Sequence, residues 1–511
     1  MRIIFIFTFN LLFITFLYPQ NATNNNQYLI GNSSSTNLYS SLNSRVNSGS
    51  QTEARSYFKN DSTTGRLLND DPEYNKKYSI WHPVPFITAV NVITWGFDRY
   101  VLNASYARVG LKSWENNFKH GWVWDIDRFG VDFLGHPISG AMFFNAARSS
   151  GYNFVQSYPY ALFGSLEWKY FGENDLPTTN DIITSSVAGS MYGEMLYRFS
   201  SNILDDRKTG SERVFREIFA GIVDPVRGVN RLIQGRSFRV TSKEVYEKEP
   251  LQITIGAGAQ KINNGTSFGT GGTTGLINLS FVYGDPFEDR DRKPFDYFET
   301  NIVLSNGDRA GKSICDNISA YGILFGENDQ TGNMETLMGI FQHYDYFNNK
   351  IFELGNITFS GGILTKLPVG QKSFLYTNFH LGILPFGGYS IKLGPDTASV
   401  RDFNYGGGAS AKLESTFDFH HFMNLNISAQ YYWMNTYTGI GEHNLIGIIN
   451  PTILFRVYKN IQVGFQYFLY TNYMYHDGIT SNLRNSEQKL MLLYNFGDSK
   501  SSDKPDKAKA D

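Results

Sequence analysis

Residues 424–433 read NLNISAQYYW, and most of this stretch alternates between polar and apolar side chains. Successive side chains of a β-strand point to opposite faces. One face would therefore carry Leu425, Ile427, Ala429, Tyr431 and Trp433, and the other would carry Asn424, Asn426, Ser428 and Gln430. A long strand with one aromatic-rich apolar face and one polar face is typical of a transmembrane β-barrel, which has lipid outside and a polar lumen inside.

Alternating runs of roughly ten residues recur from Leu251 to Phe496, separated by turn-rich segments. The runs are 251–260, 275–284, 296–305, 315–326, 334–344, 351–365, 373–384, 405–419, 423–436, 446–458, 460–472 and 487–496. Their number is even, as in single-chain bacterial barrels. The sequence therefore predicts an α+β membrane protein, with an N-terminal helical domain followed by an antiparallel transmembrane β-barrel of about 12 strands at residues 250–497.

The N-terminal residues predict export. Residues 1–20 resemble a secretory signal peptide, with Arg2 before an apolar core. Residues 21–77 are rich in Asn and Ser and predict a disordered linker, and residues 498–511 form a polar tail. The lone Cys315 excludes an internal disulfide. These features favour a bacterial envelope protein, placed in the cell outer membrane.

The expected partners follow from this placement. Outer-membrane lipids would surround the barrel, and the barrel-assembly machinery would recognise a last strand that ends in Phe496. The net charge of −2 argues against a nucleic-acid partner, because such partners require a basic face. No cofactor is predicted.

Residues 78–240 have helical rather than strand periodicity and contain six of the seven tryptophans. The predicted helices are 86–101, 137–149, 158–171, 179–204 and 212–234, the last one interrupted at Asp224–Pro225. We expect a periplasmic or membrane-facing domain at the barrel mouth, with at most one helix or loop inserted, because the lumen of a barrel this small cannot hold the domain. Helices lying at the inner leaflet are the alternative.

Polar residues within this apolar half are the candidate site. His136 is the candidate acid or base, with Asp132, Glu167 and Glu194 as candidate catalytic carboxylates. Because His136 precedes Pro137, we expect it at a helix N-cap. The candidate ligand-binding residues are Asn145, Arg148, Ser149, Asn180, Asp181 and Arg198.

Two other interpretations of these residues stay open. His136 with Asp132, Glu167 or Glu194 has the residue types of a metal site, although none is predicted. The favoured interpretation is a buried structural network, in which Glu194 and Arg198 pair at i,i+4.

Charged residues also lie on the polar faces of the strands. Lys412, Glu414, Asp418 and Arg456 are predicted to face the lumen. They would either tune a pore or pair with opposite charges and plug a small barrel, and we favour the plug. His343 and His380 are candidate residues for hydrolysis inside the barrel, for which the sequence singles out no serine.

The segment from Gly130 to Arg198 contains spaced motifs. These are DFLGHPISG at 132–140, NAARSSG at 145–151, GSLEW at 164–168, Glu173, PTTND at 177–181 and Gly193–Glu194. Together they resemble a family of Gram-negative envelope proteins known as a domain of unknown function. The resemblance implies an outer-membrane setting and supplies no activity.

Three functions are consistent with this sequence. The first is the binding or transport of a lipid or other amphipathic envelope molecule. The second is an envelope lipid or glycan hydrolase that uses His136 with nearby acids. The third is a structural scaffold without a ligand.

Overall fold

A computed structural model of the protein describes residues 76–124, 128–263, 265–306, 314–349, 352–370, 372–391, 403–420, 422–438, 443–476 and 479–496. The predicted signal peptide, nearly all of the predicted linker and the polar tail lie outside the described residues. The remaining chain forms a helical half followed by a β-barrel.

The helical half contains eight α-helices within the described residues. They are α1 Val84–Tyr100, α2 Leu111–Lys119, α3 His136–Arg148, α4 Phe154–Glu167, α5 Thr179–Ile183, α6 Gly189–Ile203, α7 Gly210–Val223 and α8 Val226–Ile233. Three π-helical segments adjoin them: Val131–Gly135 leads into α3, Trp168–Gly172 extends α4, and Thr184–Ala188 joins α5 to α6. In this part of the chain, no described helix is long and apolar enough to cross a bilayer.

All five predicted helical segments are present, and the break before Pro225 separates α7 from α8. Helix α2 was missed, because its sequence LKSWENNFK has few apolar residues. The prediction that His136 is an N-cap is wrong. Its backbone is helical, at φ −63° and ψ −44°, and it continues the helix that starts at Val131.

The continuous helix at His136 has a physical explanation. Pro137 has no N–H group, so it cannot donate the i→i−4 hydrogen bond of an α-helix to the carbonyl of Phe133. The hydroxyl of Tyr344, on a barrel strand, donates to that carbonyl instead. The barrel thus stabilises a helical path that Pro137 alone would disfavour.

Twelve antiparallel strands close into a barrel, in which each strand pairs with its sequence neighbours and β1 pairs with β12. They are β1 Leu251–Asn263, β2 Gly272–Tyr283, β3 Phe298–Ser305, β4 Cys315–Thr331, β5 Met334–Asn348, β6 Phe352–Pro368, β7 Phe374–Ile391, β8 Asn404–Phe419, β9 Met423–Thr438, β10 His443–Tyr458, β11 Ile461–His476 and β12 Ile479–Asn495. The predicted fold class and strand number are confirmed. Strand β12 begins eight residues before the predicted 487, in a polar stretch that pairs with β11.

The two faces of the barrel wall differ as the alternation predicts. Outward residues such as Ile383 and Leu492 are 71% and 58% exposed. The inner faces of the same strands include buried polar side chains, such as His380 on β7 and Lys489 on β12. An apolar outer wall around a polar interior is the arrangement of a membrane-spanning barrel.

The helical half packs against the outside of this wall. Ile383 on β7 faces outward and pairs with Phe359 on β6. Phe359 in turn pairs with Gln342 on β5, so all three side chains lie on the outer face. The side chain of Gln342 donates to the carbonyl of Val187, between α5 and α6, at 3.0 Å. Phe133 likewise packs on Gly355 and Gly388 of the same face.

The contacts reach both ends of the barrel. Asn202, at the end of α6, donates to the carbonyl of Glu249 at 2.8 Å, just before β1 begins. Tyr405, near the start of β8, donates to Asp132 at 2.5 Å. Because neighbouring strands are antiparallel, odd-numbered and even-numbered strands begin at opposite ends. The helical half therefore extends along the height of the outer wall.

The prediction of a domain at the barrel mouth is therefore wrong, and no helix is inserted in the lumen among the contacts described. The outer wall of β2–β8 carries large apolar and aromatic side chains that pack on Phe129, Phe133, Met191 and Met195. Burial of this apolar surface favours the lateral arrangement.

Candidate functional site

A buried group of charges surrounds Asp181, in the first turn of α5. The imidazole Nε2 of His136 lies 3.2 Å from Oδ2 of Asp181. The ammonium of Lys169, from the π-helical segment after α4, pairs with the same oxygen and lies 2.5 Å from Oε1 of Glu173. We call His136, Lys169, Glu173, Asp181 and Asp132 the His136 cluster.

Neutral groups donate further hydrogen bonds to the carboxylates of the His136 cluster. Thr178 donates to Oδ2 of Asp181 and Asn180 donates to Oδ1, both at 2.7 Å. The indole of Trp168 donates to Glu173 at 3.1 Å. Such hydrogen bonds compensate the cost of burying charge.

Asp132 links this cluster to the barrel. It lies one turn before His136, and it accepts the hydrogen bond from the hydroxyl of Tyr405 on β8. Ligand atoms of Asp132, His136 and Asp181 lie within 4.8 Å of one another. The His136 cluster is therefore joined to the outer wall of the barrel through the hydrogen bond between Asp132 and Tyr405.

The pKa values of the cluster are shifted in both directions. Burial alone would lower the pKa of His136, but the Asp181 carboxylate outweighs it and raises the pKa to about 9. Burial raises the pKa of Glu173 to about 7, against the attraction of Lys169. Burial also opposes ionisation of Asp181, but His136 and Lys169 hold the pKa of Asp181 well below its ordinary value.

The contacts of the His136 cluster also test whether Asp132, His136 and Asp181 form a metal site. The three ligand atoms have a spacing that a metal ion accepts. However, Lys169 already supplies a cation at the Asp181 oxygen, and protonated His136 supplies another. The arrangement favours a cluster of buried ion pairs over a metal site.

Glu167 does not belong to this cluster. Its carboxylate accepts hydrogen bonds from Thr88 at 2.7 Å and from Asn91 at 2.8 Å, both on α1. Glu167 thus holds α1 against α4.

Glu194 centres a second group, the Glu194 cluster, on α6. Arg148 donates to both carboxylate oxygens, at 2.6 and 2.9 Å, and Arg198 donates at 2.9 Å. The predicted pairing of Glu194 with Arg198 is confirmed. Arg198 also donates to the carbonyl of Pro294 at 2.6 Å, which fastens α6 to the loop between β2 and β3.

Asn145 and Ser149 lie beside this cluster. Asn145 donates to Asp224 at 2.9 Å, and Asn230 donates to Ser149 at 2.7 Å. All six candidate ligand-binding residues are buried: Asn145, Arg148, Ser149, Asn180, Asp181 and Arg198. Their contacts are those of the structural network favoured from the sequence.

The sequence missed several members of these networks. Lys169 lies in the aromatic run Trp-Lys-Tyr-Phe, which gave no sign of a buried ammonium. A third network was missed completely, in which Arg231 pairs with Asp206 and Glu217, each at 2.7 Å. The spacing of Asp206, Glu217 and Arg231 in the sequence gives no signal of their meeting.

The lumen residues pair across the barrel. Lys412 on β8 lies 2.6 Å from Asp345 on β5, and 3.4 Å from Nδ1 of His343. Nε2 of His343 lies 2.8 Å from the hydroxyl of Ser360, which lies 3.4 Å from His380. Ser360 is thus the serine neighbour of both histidines.

The other predicted lumen residues also face inward. Glu414 accepts a hydrogen bond from Asn426 at 2.6 Å. Asp418 is buried, and Arg456 is partly buried opposite Gln462. Apolar side chains add to the filling, among them Phe347, Leu354, Tyr432, Met434 and Ile446. These contacts favour the interpretation that the lumen charges plug the barrel.

Fold and site together define a β-barrel of the membrane-spanning type with a charge-networked helical half on its outer wall. A family model described as "Domain of unknown function (DUF3943)" matches residues 121–226. The matched segment contains the His136 cluster and all the motifs that carry the resemblance. The predicted resemblance to a family of unknown function is thereby confirmed.

Solved structures similar to the chain are outer-membrane proteins. The outer-membrane channel DcaP of Acinetobacter baumannii has 9% identity and a TM-score of 0.23, over 48% of this chain and 96% of that one. OmpT of Vibrio cholerae has 8% identity and a TM-score of 0.23, over 48% and 97%. An outer-membrane channel of Pseudomonas putida F1 has 10% identity and a TM-score of 0.25, over 49% and 97%. None of the curated proteins matches the chain.

Proposed function

We propose that this chain is an outer-membrane protein that binds or transfers a lipid or similar amphipathic envelope molecule through its helical half, with the barrel as anchor. One observation carries the proposal: the helical half lies on the lipid-facing wall. Gln342 and Tyr344, both on the outer face of β5, bind its backbone. A ligand handled there would come from the membrane.

The filled lumen supports this assignment over solute transport. The Lys412–Asp345 pair joins strands that are separated by β6 and β7, so it crosses the interior. A pore needs a continuous wet path, and side chains commonly fill small barrels.

An aromatic patch on the helical half is the proposed contact region for the ligand. Phe118 on α2 stacks on Tyr170 with ring centres 4.5 Å apart, and Trp114 lies 5.4 Å from Phe171. Trp122 lies 6.1 Å from Tyr170. Two residues further on, Trp124 packs on Phe386 and Tyr405 of the barrel, so the patch lies near the end where β8 begins.

Exposed rings at this position suit an amphipathic lipid. Aromatic side chains with a polar edge prefer the boundary between hydrocarbon and headgroups. Lys119 at the end of α2 is exposed and pairs with Glu115, so charges of both signs lie near the patch. The patch thus offers apolar surface beside charged groups to one molecule.

Native mass spectrometry of the detergent-extracted full chain tests this proposal. We expect a discrete lipid to remain bound, and to be lost from the double variant Phe118→Ala, Phe171→Ala. The control is Leu492→Ala, which removes an equally exposed apolar side chain from β12. Equal lipid retention in all three proteins, or no retained lipid in any, would contradict the proposal.

The His136 cluster supports a second candidate, an envelope lipid or glycan hydrolase. The observation that supports this candidate is that His136 has a raised pKa and lies between two carboxylates. A histidine in this position can deliver a proton. Turnover of envelope lipids or glycans that disappears in His136→Asn, with the barrel still folded, would establish it. Equal turnover in both proteins would exclude this role for His136.

A further inference from the structure

Helix α7 carries an apolar face that no described residue covers. Val214, Phe215, Ile218 and Phe219 follow the i, i+1, i+4, i+5 spacing of one helical face and are 50% to 60% exposed. Burial of large apolar side chains is the ordinary outcome of folding, and a continuous apolar patch on a surface indicates a contact.

The opposite face fixes the orientation of α7. Arg213 pairs with Asp206 at 2.8 Å and donates to the carbonyl of Arg236 at 3.0 Å, and both partners lie outside α7. Ala220 is buried in an apolar cluster with Leu204 and Tyr246. Rotation of the helix to hide its apolar face would break these contacts, so the exposure is a fixed property of the fold.

Further exposed apolar residues follow α7 in the chain. Leu232 and Ile233, at the end of α8, are more than half exposed, and so are Phe238 and Val240. These residues precede β1, which begins at Leu251. The carbonyl of Glu249, just before β1, accepts a hydrogen bond from Asn202, whose neighbour Ile203 lines a cavity with Phe215 and Phe219. The apolar face of α7 therefore lies near the barrel end where β1 starts and β12 finishes.

The barrel is also apolar on its outside at that end. Ile255 on β1 and Tyr494 on β12 are cross-strand partners and are both exposed. Phe496 donates its N–H to the carbonyl of Ile253 and is exposed as well. Two apolar surfaces at one end of a membrane-spanning barrel have the same expected neighbour, which is lipid.

Charged side chains border the apolar face of α7. Lys208 lies 3.3 Å from Glu212, and Arg216 lies 3.0 Å from it. Arg216 and Glu212 also line a shallow open cavity with Phe215 and Phe219. Long cationic side chains beside an apolar stripe are typical of a helix that lies in a membrane interface.

We propose that α7 and the end of α8 form a membrane-contact surface, which is seated in the leaflet at the barrel end where β1 begins. The partner is the bilayer, with acyl chains against Phe215 and Phe219 and headgroups beside Lys208 and Arg216. This surface requires no specific lipid ligand, so it stands independently of the proposed function.

Depth measurement by spin labelling tests this proposal. The full chain, with Cys315→Ala to remove the native thiol, is reconstituted in vesicles of phosphatidylethanolamine and phosphatidylglycerol. A nitroxide is attached at Phe215→Cys or Phe219→Cys, and its collisions with oxygen and with a water-soluble nickel complex are compared. Leu492→Cys on β12 is the lipid reference, and Thr331→Cys, at the exposed end of β4, is the water reference.

We expect both α7 labels to behave like the lipid reference, with oxygen collisions dominant, at a depth of roughly 5–10 Å. Labels that match the water reference would overturn the proposal. Labels protected from both oxygen and nickel would also overturn it, because a protein would then cover the face. The heat-dependent gel shift of each labelled variant shows whether its barrel is folded.

Discussion

At the residue scale, the hydrogen bond from Tyr344 to Phe133 joins the helical half to the barrel. Pro137 has no N–H group to donate to the Phe133 carbonyl, and the Tyr344 hydroxyl donates to that carbonyl. A buried carbonyl without a partner costs about 1–3 kcal/mol. Pro137 is recognisable in the sequence as a helix-disturbing residue. The contact with Tyr344 is not, because Tyr344 lies 211 positions away from Phe133.

We predict that Tyr344→Phe lowers the free energy of unfolding of the helical half by about 1–3 kcal/mol. Tryptophan fluorescence during urea titration in detergent measures it, because six of the seven tryptophans lie in this half. Adding Pro137→Ala should recover part of the loss, since the new N–H can serve the Phe133 carbonyl. An unchanged midpoint in Tyr344→Phe would contradict the role of this hydrogen bond.

The His136 cluster predicts the pH dependence of stability. The pKa of His136 is raised from 6.5 to about 9, so its stabilising contribution is complete below pH 6.5 and is lost as the pH rises through 9. The pKa of Glu173 is raised from 4.5 to about 7, so its contribution also falls as the pH rises, between 4.5 and 7. The unfolding free energy should therefore decrease from mildly acidic to alkaline pH.

The same fluorescence titration, repeated between pH 6 and 9.5, checks this prediction. In His136→Asn, the decrease in the free energy of unfolding above pH 7 should be smaller by on the order of 2–3 kcal/mol. The same slope in the variant and in the native chain would show that His136 is not the titrating group.

At this scale the sequence identified about half of the site. Asp132, His136 and Asp181 were named as candidates and do meet, and Glu194 meets Arg148 and Arg198. Lys169 was not recognised as a member, and Glu167 was assigned to the wrong group, because contacts between different helices depend on their packing.

At the element scale, glycine determines how closely α3 and α6 cross. A Cβ atom on Gly189 would lie 2.7 Å from Cα of Gly140, and one on Gly140 would overlap the carbonyl of Ser185. The backbones of the two segments are therefore in contact. This crossing aligns the helices that carry Arg148 and Glu194.

We predict that Gly140→Ala destabilises the helical half by about 1–3 kcal/mol or more, as overpacking does. Gly96→Ala is the matched control, because a Cβ atom there meets nothing within 4 Å inside α1. Since alanine favours helix, the control should be neutral or stabilising by up to about 1 kcal/mol. Thermal unfolding followed by circular dichroism measures both, and equal destabilisation would contradict the close crossing.

Elements were predicted well because their signals are local. Each strand shows its own alternation, and each long helix its own period, so twelve strands and five helical segments were found. Helix α2 and the start of β12 were missed, because both are polar and depend on neighbours for their structure.

At the scale of the whole molecule, the arrangement of the two halves was not predictable from local pattern. The outward side chains of Tyr344, Phe386 and Tyr405 are aromatic, as expected for a wall that faces lipid. A wall that faces packed helices has the same composition. Only the contacts of Phe133, Val187 and Asp132 reveal which neighbour is present.

Short-range cross-linking tests this arrangement most directly, in a chain with Cys315→Ala. Val187→Cys is combined with Gln342→Cys, since the native Gln342 side chain donates to the Val187 carbonyl on the outer face, or with His343→Cys, the next residue on the inner face. The outer-wall arrangement predicts efficient cross-linking of 187 to 342 and little of 187 to 343. No 187–342 product in the folded barrel, or equal yields from both pairs, would contradict it.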